Sequence, residues 1–209
     1  MLYEIIRFTL INFFRLFIKK IKGLENLPEG GFIIAANHSS FFDPPMVSAI
    51  VADKLKIKVH NLGKTELFRS FLGRTIQNIG GTIPLDTTGK DKSGINKAIS
   101  YLKQGKVIEI FPEGGRSKDG KLKEGKTGAV RIALKAKVPI VPIGVEGTYD
   151  IWSRNKKIFR IKKIAKVNIG RPIYFDRYYK SPISKKLLKN LTGMLMKEIA
   201  KLCGQTYKY

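Results

Sequence analysis

The chain of 209 residues is long enough for one domain with a sizeable core, and it carries 40 Lys and Arg against 16 Asp and Glu. Its hydrophobic content of 43% and charged content of 27% exclude a disordered chain. One Cys excludes a disulfide framework, and two His with one Cys are too few for a usual structural zinc site. The formal net charge of +24 predicts a polyanionic partner: nucleic acid, an anionic membrane surface, or a phosphorylated or acidic substrate.

The first 22 residues form the most apolar segment, which Arg7 and Arg15 interrupt before any run reaches the roughly 20 residues that a spanning helix needs. At 100° per residue, the cations collect on one side and large apolar side chains cover a wide opposite arc. This pattern predicts an amphipathic membrane-anchoring helix over residues 1–22, and a first helix packed on the domain is the alternative. The predicted membrane-contacting residues are aromatic and basic: Phe13, Phe14, Phe17, Arg15, Lys19 and Lys20.

A second informative stretch is the apolar run 32–36, which predicts a buried strand that ends at Asn37-His38. Asp43-Pro44 follows and predicts a helix start with Asp43 as the N-cap. His38 and Asp43 therefore flank a tight turn, and we expect one Asp43 oxygen to cap the helix while the other holds His38. A His held by a carboxylate takes a proton from a hydroxyl near neutral pH, whereas the alternative is a structural His beside a capping Asp.

The rest of the chain alternates between strand and helix patterns. Strands are predicted over residues 57–62, 82–85, 107–111, 140–145 and, as a pair or a bulged strand, 165–175. Helices are predicted over residues 45–52, 63–79, 95–103, 127–137 and 184–202. This alternation predicts one α/β domain over residues 23–209, with a mixed, largely parallel central sheet flanked by helices and preceded by the N-terminal amphipathic helix.

A polar loop, residues 112–117, follows the strand predicted over 107–111. Gly114 and Gly115 allow backbone N–H groups to approach an anion, and Arg116 supplies a fork of donors that fits phosphate. A plain Gly-Gly turn with a solvated Arg is the alternative. The Lys- and Gly-rich segment that follows, residues 117–128, is predicted to be mobile.

Four sequence blocks in order resemble the glycerolipid acyltransferase family, and most closely its bacterial 1-acyl-glycerol-3-phosphate (lysophosphatidic acid) acyltransferases. The blocks are His-x4-Asp at 37–43, Lys-Thr-Glu-Leu-Phe at 64–68 with 81–86 after it, Phe-Pro-Glu-Gly-Gly-Arg-Ser at 111–117, and the Val-Pro-rich residues 138–143. Two departures stand out: Gly115 replaces the usual Thr, and Thr87 stands where the family commonly has Arg.

The resemblance implies transfer of an acyl group from acyl-CoA or acyl carrier protein to the sn-2 hydroxyl of 1-acyl-glycerol-3-phosphate, which makes phosphatidic acid. It implies that His38 takes the hydroxyl proton and later protonates the leaving thiolate, while Asp43 orients the imidazole. Neither a metal nor a bound cofactor is expected. The resemblance assigns the glycerol phosphate to Glu113, Gly114, Gly115, Arg116 and Lys64.

Three other interpretations stay open. The same chemistry fits another acceptor, such as glycerol 3-phosphate or a different lyso-lipid, although Arg116 and the net charge favour a phosphate. A basic nucleic-acid-binding protein is disfavoured because the aromatics concentrate in the apolar N-terminal face, so no nucleic-acid partner is expected. A hydrolase would need a Ser or Cys nucleophile, and no Gly-x-Ser-x-Gly motif is present. The expected location is peripheral or monotopic on the cytoplasmic face of the cell membrane, with an anionic membrane surface as a partner.

Overall fold

A central sheet organises the protein, whose computed structural model describes residues 2–86, 88 and 91–209. Its strands, within that part of the chain, are β1 Ile18–Lys22, β2 Ile33–Ala36, β3 Val59–Lys64, β4 Ile83–Leu85, β5 Val107–Ile110, β6 Ile140–Glu146 and β7 Ala165–Ile169. Their spatial order is β1-β7-β6-β2-β5-β3-β4. Neighbouring strands run parallel except for β6 and β7, which confirms the predicted mixed, largely parallel sheet.

Helices cover both faces of the sheet. They are α1 Leu2–Arg15, α2 Asp43–Leu55, α3 Phe71–Ile79, α4 Ser93–Lys103, α5 Gly128–Ala136, α6 Thr148–Trp152 and α7 Lys185–Leu202. One apolar core lies under α4, α5 and α7, and a second lies under α1 and α2. The Ser184 hydroxyl caps α7 by accepting a hydrogen bond from the Leu187 N–H at 3.1 Å.

Strand β2 determines where the functional residues lie. It is hydrogen-bonded to β5 on one side and β6 on the other, and its residues are buried on both faces, as a central parallel strand requires. Because β2 and β5 run parallel, the segments that follow them leave from the same edge of the sheet. His38 and the loop 112–117 therefore come together at this edge.

The predicted helix over residues 1–22 is too long. Helix α1 ends at Arg15, and Ile18–Lys22 forms β1, which pairs in parallel with β7 through Ile18 and Ala165. The apolar spacing near residue 18 fits a helix or a strand, and the partner that decides between them lies far along the chain. The predicted boundary after residue 22 is also wrong, because β1 is part of the sheet.

Two of the predicted membrane contacts are wrong as well, since the rings of Phe14 and Phe17 are only 2% and 1% exposed. Both pack edge-on against Phe42 of the turn before α2, with ring centroids 5.4 and 4.9 Å away. Phe13 keeps 38% of its surface exposed, while Arg15, Lys19 and Lys20 are exposed. Among the described residues, no helix has the length and apolar character needed to cross a membrane.

Smaller differences concern two boundaries. Helix α2 begins at Asp43 and reaches Leu55, because the two prolines fit its first turn. Of the residues predicted as a strand pair or a bulged strand, 165–175, only Ala165–Ile169 form a strand, β7, and Ile173 adds a single antiparallel bridge to Ile140. Thr87, the second departure from the family pattern, lies outside the described residues.

The buried position of Phe17 makes a testable prediction about stability. Phe17→Ala leaves a cavity in the core, and we expect the free energy of unfolding to fall by about 3–5 kcal/mol. The matched control is Phe8→Ala, because Phe8 is 67% exposed and its loss should cost less than about 0.5 kcal/mol. Denaturant unfolding of both variants measures the difference. Equal stability of the two variants would contradict the packing of Phe17.

Candidate active site

The end of β2 is fixed to the neighbouring strand by the side chain of Asn37. Its amide group donates to the carbonyl of Val145 at 2.9 Å and accepts from the Val145 N–H at 2.7 Å. Both residues are buried, so these paired hydrogen bonds are shielded from water. They continue the contact between β2 and β6 beyond the last strand residue and hold the following residue, His38, at the sheet edge.

The Asp43 carboxylate holds the turn between β2 and α2 through a single oxygen. Oδ2 accepts hydrogen bonds from the Ser39 and Ser40 N–H groups, both at 2.7 Å, and lies 3.0 Å from His38 Nδ1. Asp43 is fully buried, and its other oxygen, Oδ1, has no hydrogen-bond partner among the described residues. The expected contact with His38 is therefore present.

The expectation that one Asp43 oxygen caps the helix while the other holds His38 is wrong. Phe42 occupies the N-cap position, without a side-chain cap, and Asp43 is the first helical residue. The turn is so tight that its N–H groups converge on the same oxygen that holds His38. A carboxylate on Nδ1 favours the tautomer with the proton on that nitrogen, which leaves Nε2 as the basic nitrogen.

His38 also contacts the segment after β5. Its ring stacks on Phe111, with centroids 4.3 Å apart, and 14% of its side chain stays exposed. Its N–H donates to Glu113 Oε1 at 2.7 Å, and its carbonyl accepts from the Ser117 N–H at 2.7 Å. The structure thus brings the His-x4-Asp block and the Pro-Glu-Gly block into direct contact, as their positions after neighbouring parallel strands require.

Glu113 connects three segments of the site. One oxygen accepts from His38, and the other accepts from the Lys123 N–H at 3.1 Å. Burial raises the pKa of Glu113 to about 7, although both hydrogen bonds oppose this rise. Because its oxygens face backbone groups, Glu113 orients the turn and the loop. Its predicted contact with glycerol phosphate stays a prediction.

Arg116 presents a guanidinium group beside the turn. Its Cζ lies 3.5 Å from the centre of the Phe41 ring, and its buried Nη1 has no hydrogen-bond partner within the described residues. Burial lowers the pKa of Arg116, and the nearby Arg154 lowers it further. Gly114 has a positive φ of 68°, and an added Cβ would meet Lys126 Cε at 2.9 Å. Both the backbone conformation and the close contact therefore favour glycine at this position.

The cations around Arg116 include residues that the sequence analysis missed. The Lys123 ammonium donates to the carbonyls of Gly115 and, at 3.4 Å, Arg116. Burial lowers the pKa of Lys123, Glu113 opposes this, and the neighbouring cations lower it further: Lys126, Lys64 and Arg154. Lys64, predicted for the phosphate site, is thus one of this group, at the exposed end of β3.

The segment 117–128 was predicted to be mobile, and the structure instead ties it down. The N–H groups of Leu122 and Gly125 donate to the side chains of Gln205 and Tyr207 near the C-terminus, at 2.9 and 3.1 Å. The Lys126 N–H donates to the carbonyl of Pro112 at 2.8 Å. A Lys- and Gly-rich composition does not reveal such long-range partners.

A second acidic residue near the site, Glu109 of β5, is fully buried. Ser48 of α2 donates to its Oε2 at 2.7 Å, and Oε1 has no hydrogen-bond partner in the described part of the chain. Burial raises the pKa of Glu109 well above its usual value, the Ser48 hydrogen bond opposes this, and the Asp43 charge adds to it. The sequence analysis did not single out Glu109, since it lies within an apolar strand.

The second His of the chain, His60, contacts the backbone of Gly81 and the ring of Tyr101. The Nδ1 atom of His60 lies 3.0 Å from the carbonyl of Gly81, and burial lowers its pKa. Within the described residues, no group of three or more His, Cys, Asp and Glu side chains is placed to hold a metal ion.

Comparison with known proteins identifies the family. The protein-family model described as Acyltransferase matches residues 19–146. A 1-acyl-sn-glycerol-3-phosphate acyltransferase of Bacillus subtilis is 34% identical over 186 residues, which cover 88% of this chain and 87% of that protein. A yeast protein of the same name, from Saccharomyces cerevisiae, is 31% identical over 69% of this chain and 50% of its own length. The chain belongs to the acyltransferase family, and the expectation of an O-acyltransferase is confirmed.

A solved structure shares the fold. The crystal structure of the 1-acyl-sn-glycerophosphate (LPA) acyltransferase PlsC from Thermotoga maritima matches with a TM-score of 0.74 and 24% identity, over 99% of this chain and 83% of that one. At this identity the likeness concerns the fold alone, and it confirms the predicted α/β domain. The family match begins at residue 19, inside β1, which agrees with β1 being part of the domain.

The buried Glu109 predicts how stability depends on pH. Because the pKa of Glu109 is raised, the folded protein keeps a proton that the unfolded chain loses above the usual Glu pKa, so stability falls as the pH rises. Glu109→Gln cannot ionise and removes this loss. We expect the variant to gain more in melting temperature at about pH 8 than at about pH 5.

The matched control for this measurement is Glu124→Gln, at an exposed position, which should show the same small change at both pH values. A gain for Glu109→Gln that did not vary with pH would contradict a neutral Glu109.

Proposed function

We propose that the protein transfers an acyl group from an acyl thioester, acyl-CoA or acyl carrier protein, to the sn-2 hydroxyl of 1-acyl-glycerol-3-phosphate and so makes phosphatidic acid. The observation that carries the proposal is the His38 imidazole, held at Nδ1 by Asp43 and placed beside the loop of Arg116. The names of the relatives support the choice of acceptor, since their proteins are 1-acyl-sn-glycerol-3-phosphate acyltransferases.

The proposed reaction uses His38 twice. Its Nε2 takes the proton of the sn-2 hydroxyl while the hydroxyl oxygen attacks the thioester carbonyl carbon. When the tetrahedral intermediate collapses, the carbon–sulfur bond breaks and the protonated His38 returns the proton to the thiolate. Asp43 stabilises the imidazolium between these steps and keeps the ring oriented. The acceptor hydroxyl is the nucleophile, so the mechanism requires no Ser or Cys of the protein.

The proposed phosphate site is the cationic group around Arg116. The buried Nη1 of Arg116 is a donor without a protein partner among the described residues, and Lys64, Lys123, Lys126 and Arg154 act on the same region. Guanidinium and ammonium groups in a partly buried position bind phosphate strongly. This placement supports a phosphorylated acceptor whose hydroxyl reaches His38.

The proposal includes a membrane location, peripheral or monotopic on the cytoplasmic face of the cell membrane, because the acceptor is a lipid. Helix α1 supports it, since its Ile5, Phe8 and Phe13 are exposed. The exposed cation Arg15 ends the helix, and the exposed Leu16 follows directly after it. Large apolar side chains next to cations are typical of an element that lies in a lipid interface. The buried Phe14 and Phe17 take no part in this contact.

The first test concerns the base. His38→Ala removes the imidazole that Asp43 holds, and we expect kcat to fall at least about a hundredfold. Thioester-release kinetics measure this, and vesicle sedimentation should show that membrane binding persists. His60→Gln is the matched control and should keep kcat close to the wild-type value. Full activity of His38→Ala would contradict the mechanism.

The second test concerns the phosphate. Arg116→Ala should raise KM for 1-acyl-glycerol-3-phosphate at least about tenfold while the KM for the thioester changes little, because the lost donor faces the acceptor. Arg131→Ala, at an exposed position on α5, is the control. Steady-state kinetics should also compare glycerol 3-phosphate and a lyso-lipid without phosphate as acceptors. An unchanged acceptor KM would remove Arg116 from the phosphate site.

A further inference from the structure

The segment between α6 and β7 carries an unusual combination of side chains. Residues 154–163, here called the basic loop, contain six Lys or Arg and no Asp or Glu. Within the basic loop, Ile158 and Ile161 are 78% and 76% exposed. A single exposed isoleucine is ordinary, whereas two of them three residues apart among six cations require an explanation.

An aromatic residue between the two isoleucines anchors the basic loop to the protein. Phe159 is partly buried, and its ring packs against Phe42 and Phe17, with centroids 5.4 and 5.9 Å apart. Backbone hydrogen bonds add to this anchor, since the Arg160 N–H donates to the Ile151 carbonyl at 3.0 Å. The basic loop is therefore held on the protein while its isoleucines stay in solvent.

The basic loop is continuous with the exposed face of α1. The Phe159 ring lies 6.4 Å from Phe13 of α1, in edge-to-face geometry. Lys163 and Arg15 line the same groove beside α1 and β1. Phe13 of α1 and Phe159 of the basic loop therefore belong to one aromatic cluster, which joins the C-terminal half of α1 to the basic loop.

The start of the basic loop reaches the active site. Ser153, the residue before the basic loop, forms an antiparallel β-bridge with Ser40 of the turn between β2 and α2. The Phe41 N–H of the same turn donates to the Trp152 carbonyl at 3.2 Å. The rings of Phe41 and Trp152 stack, with centroids 4.8 Å apart. Arg154 lies close enough to Arg116 to lower its pKa. A partner bound to the basic loop would therefore sit beside the proposed phosphate site.

We propose that the basic loop is a second membrane-contacting element, which places Ile158 and Ile161 in an anionic bilayer beside α1. Isoleucines alternating with cations fit a lipid interface, where the apolar side chains enter the acyl region and the cations meet the headgroups. The loop's one aromatic ring is packed inward, so it offers no surface on which nucleic-acid bases could stack. The inference rests on the proposed lipid acceptor, and it adds which surface of the protein faces the bilayer.

The first experiment measures binding to vesicles. The double variant Ile158→Ser/Ile161→Ser should bind vesicles of phosphatidylcholine with phosphatidylglycerol at least about tenfold more weakly than the wild type in sedimentation. The matched control is Ile183→Ser, an exposed isoleucine outside the basic loop, which should bind as the wild type does. Thermal unfolding checks that all variants are folded. Unchanged vesicle binding of the double variant would overturn the inference.

The charges are tested separately. Replacing Lys157, Lys162 and Lys163 by Gln should abolish most of the preference for vesicles with phosphatidylglycerol over pure phosphatidylcholine. The control replaces three exposed lysines elsewhere, at positions 180, 185 and 186, and should keep the preference. An equal loss in both triple variants would overturn the inference, because it would show a response to net charge alone.

The only Trp of the chain can report whether the basic loop lies at the bilayer. Trp152 donates through Nε1 to the Lys156 carbonyl at 3.0 Å, so its fluorescence senses the basic loop. Lipids with a doxyl quencher should reduce Trp152 emission in the wild type and in Ile183→Ser, but much less in the double variant. Vesicle binding by the wild type without quenching would overturn the inference.

Activity separates this inference from the proposed function. With a short-chain, monomeric acceptor and no vesicles, the double variant should keep the kcat/KM of the wild type, and with vesicle-bound acceptor it should lose activity in proportion to binding. A wild type that binds vesicles through the basic loop but acylates no acceptor would refute the proposed function and leave the inference standing. An active double variant with normal vesicle binding would refute the inference about the basic loop and leave the proposed function standing.

Discussion

The geometry of the site depends on one buried carboxylate oxygen. Asp43 Oδ2 accepts hydrogen bonds from two consecutive backbone N–H groups and from the His38 ring. A charge in a fully buried position is costly unless donors surround it, so the turn and the imidazole together make this charge tolerable. The start of α2, the shape of the turn and the tautomer of His38 are therefore coupled through a single atom.

Around this atom, the charges are arranged in layers. Acidic groups lie inside, with Glu109 under the turn and Glu113 between the turn and the loop, and the cations near Arg116 lie toward the surface. The acidic groups are held by hydroxyl or backbone donors, so they orient the segments and leave the cations available to an anion. The large positive charge of the chain is thus concentrated, in part, where the proposed phosphate would bind.

Sequence reasoning predicted the parts of the site that are formed by residues close together along the chain. The run 32–36 with His38 and Asp43 predicted a strand, a turn and their contact, because these residues are neighbours along the chain. Sequence reasoning failed where the structure of a segment depends on residues far along the chain. Residues 18–22 form a strand because they pair with β7, and the segment 117–128 is held by hydrogen bonds to residues near the C-terminus. The burial of Phe14 and Phe17 was not predicted for the same reason, since the Phe42 ring that covers them belongs to the turn between β2 and α2.

The pairing of β1 with β7 has a consequence for biosynthesis. Ile18 is made early and Ala165 late, so during translation β1 has no strand to pair with until most of the chain has left the ribosome. Until then, Phe13 and Phe17 also lack Phe159 as a neighbour. Strand β1 is consequently made before most of the domain and is among the last strands to be secured in the native sheet.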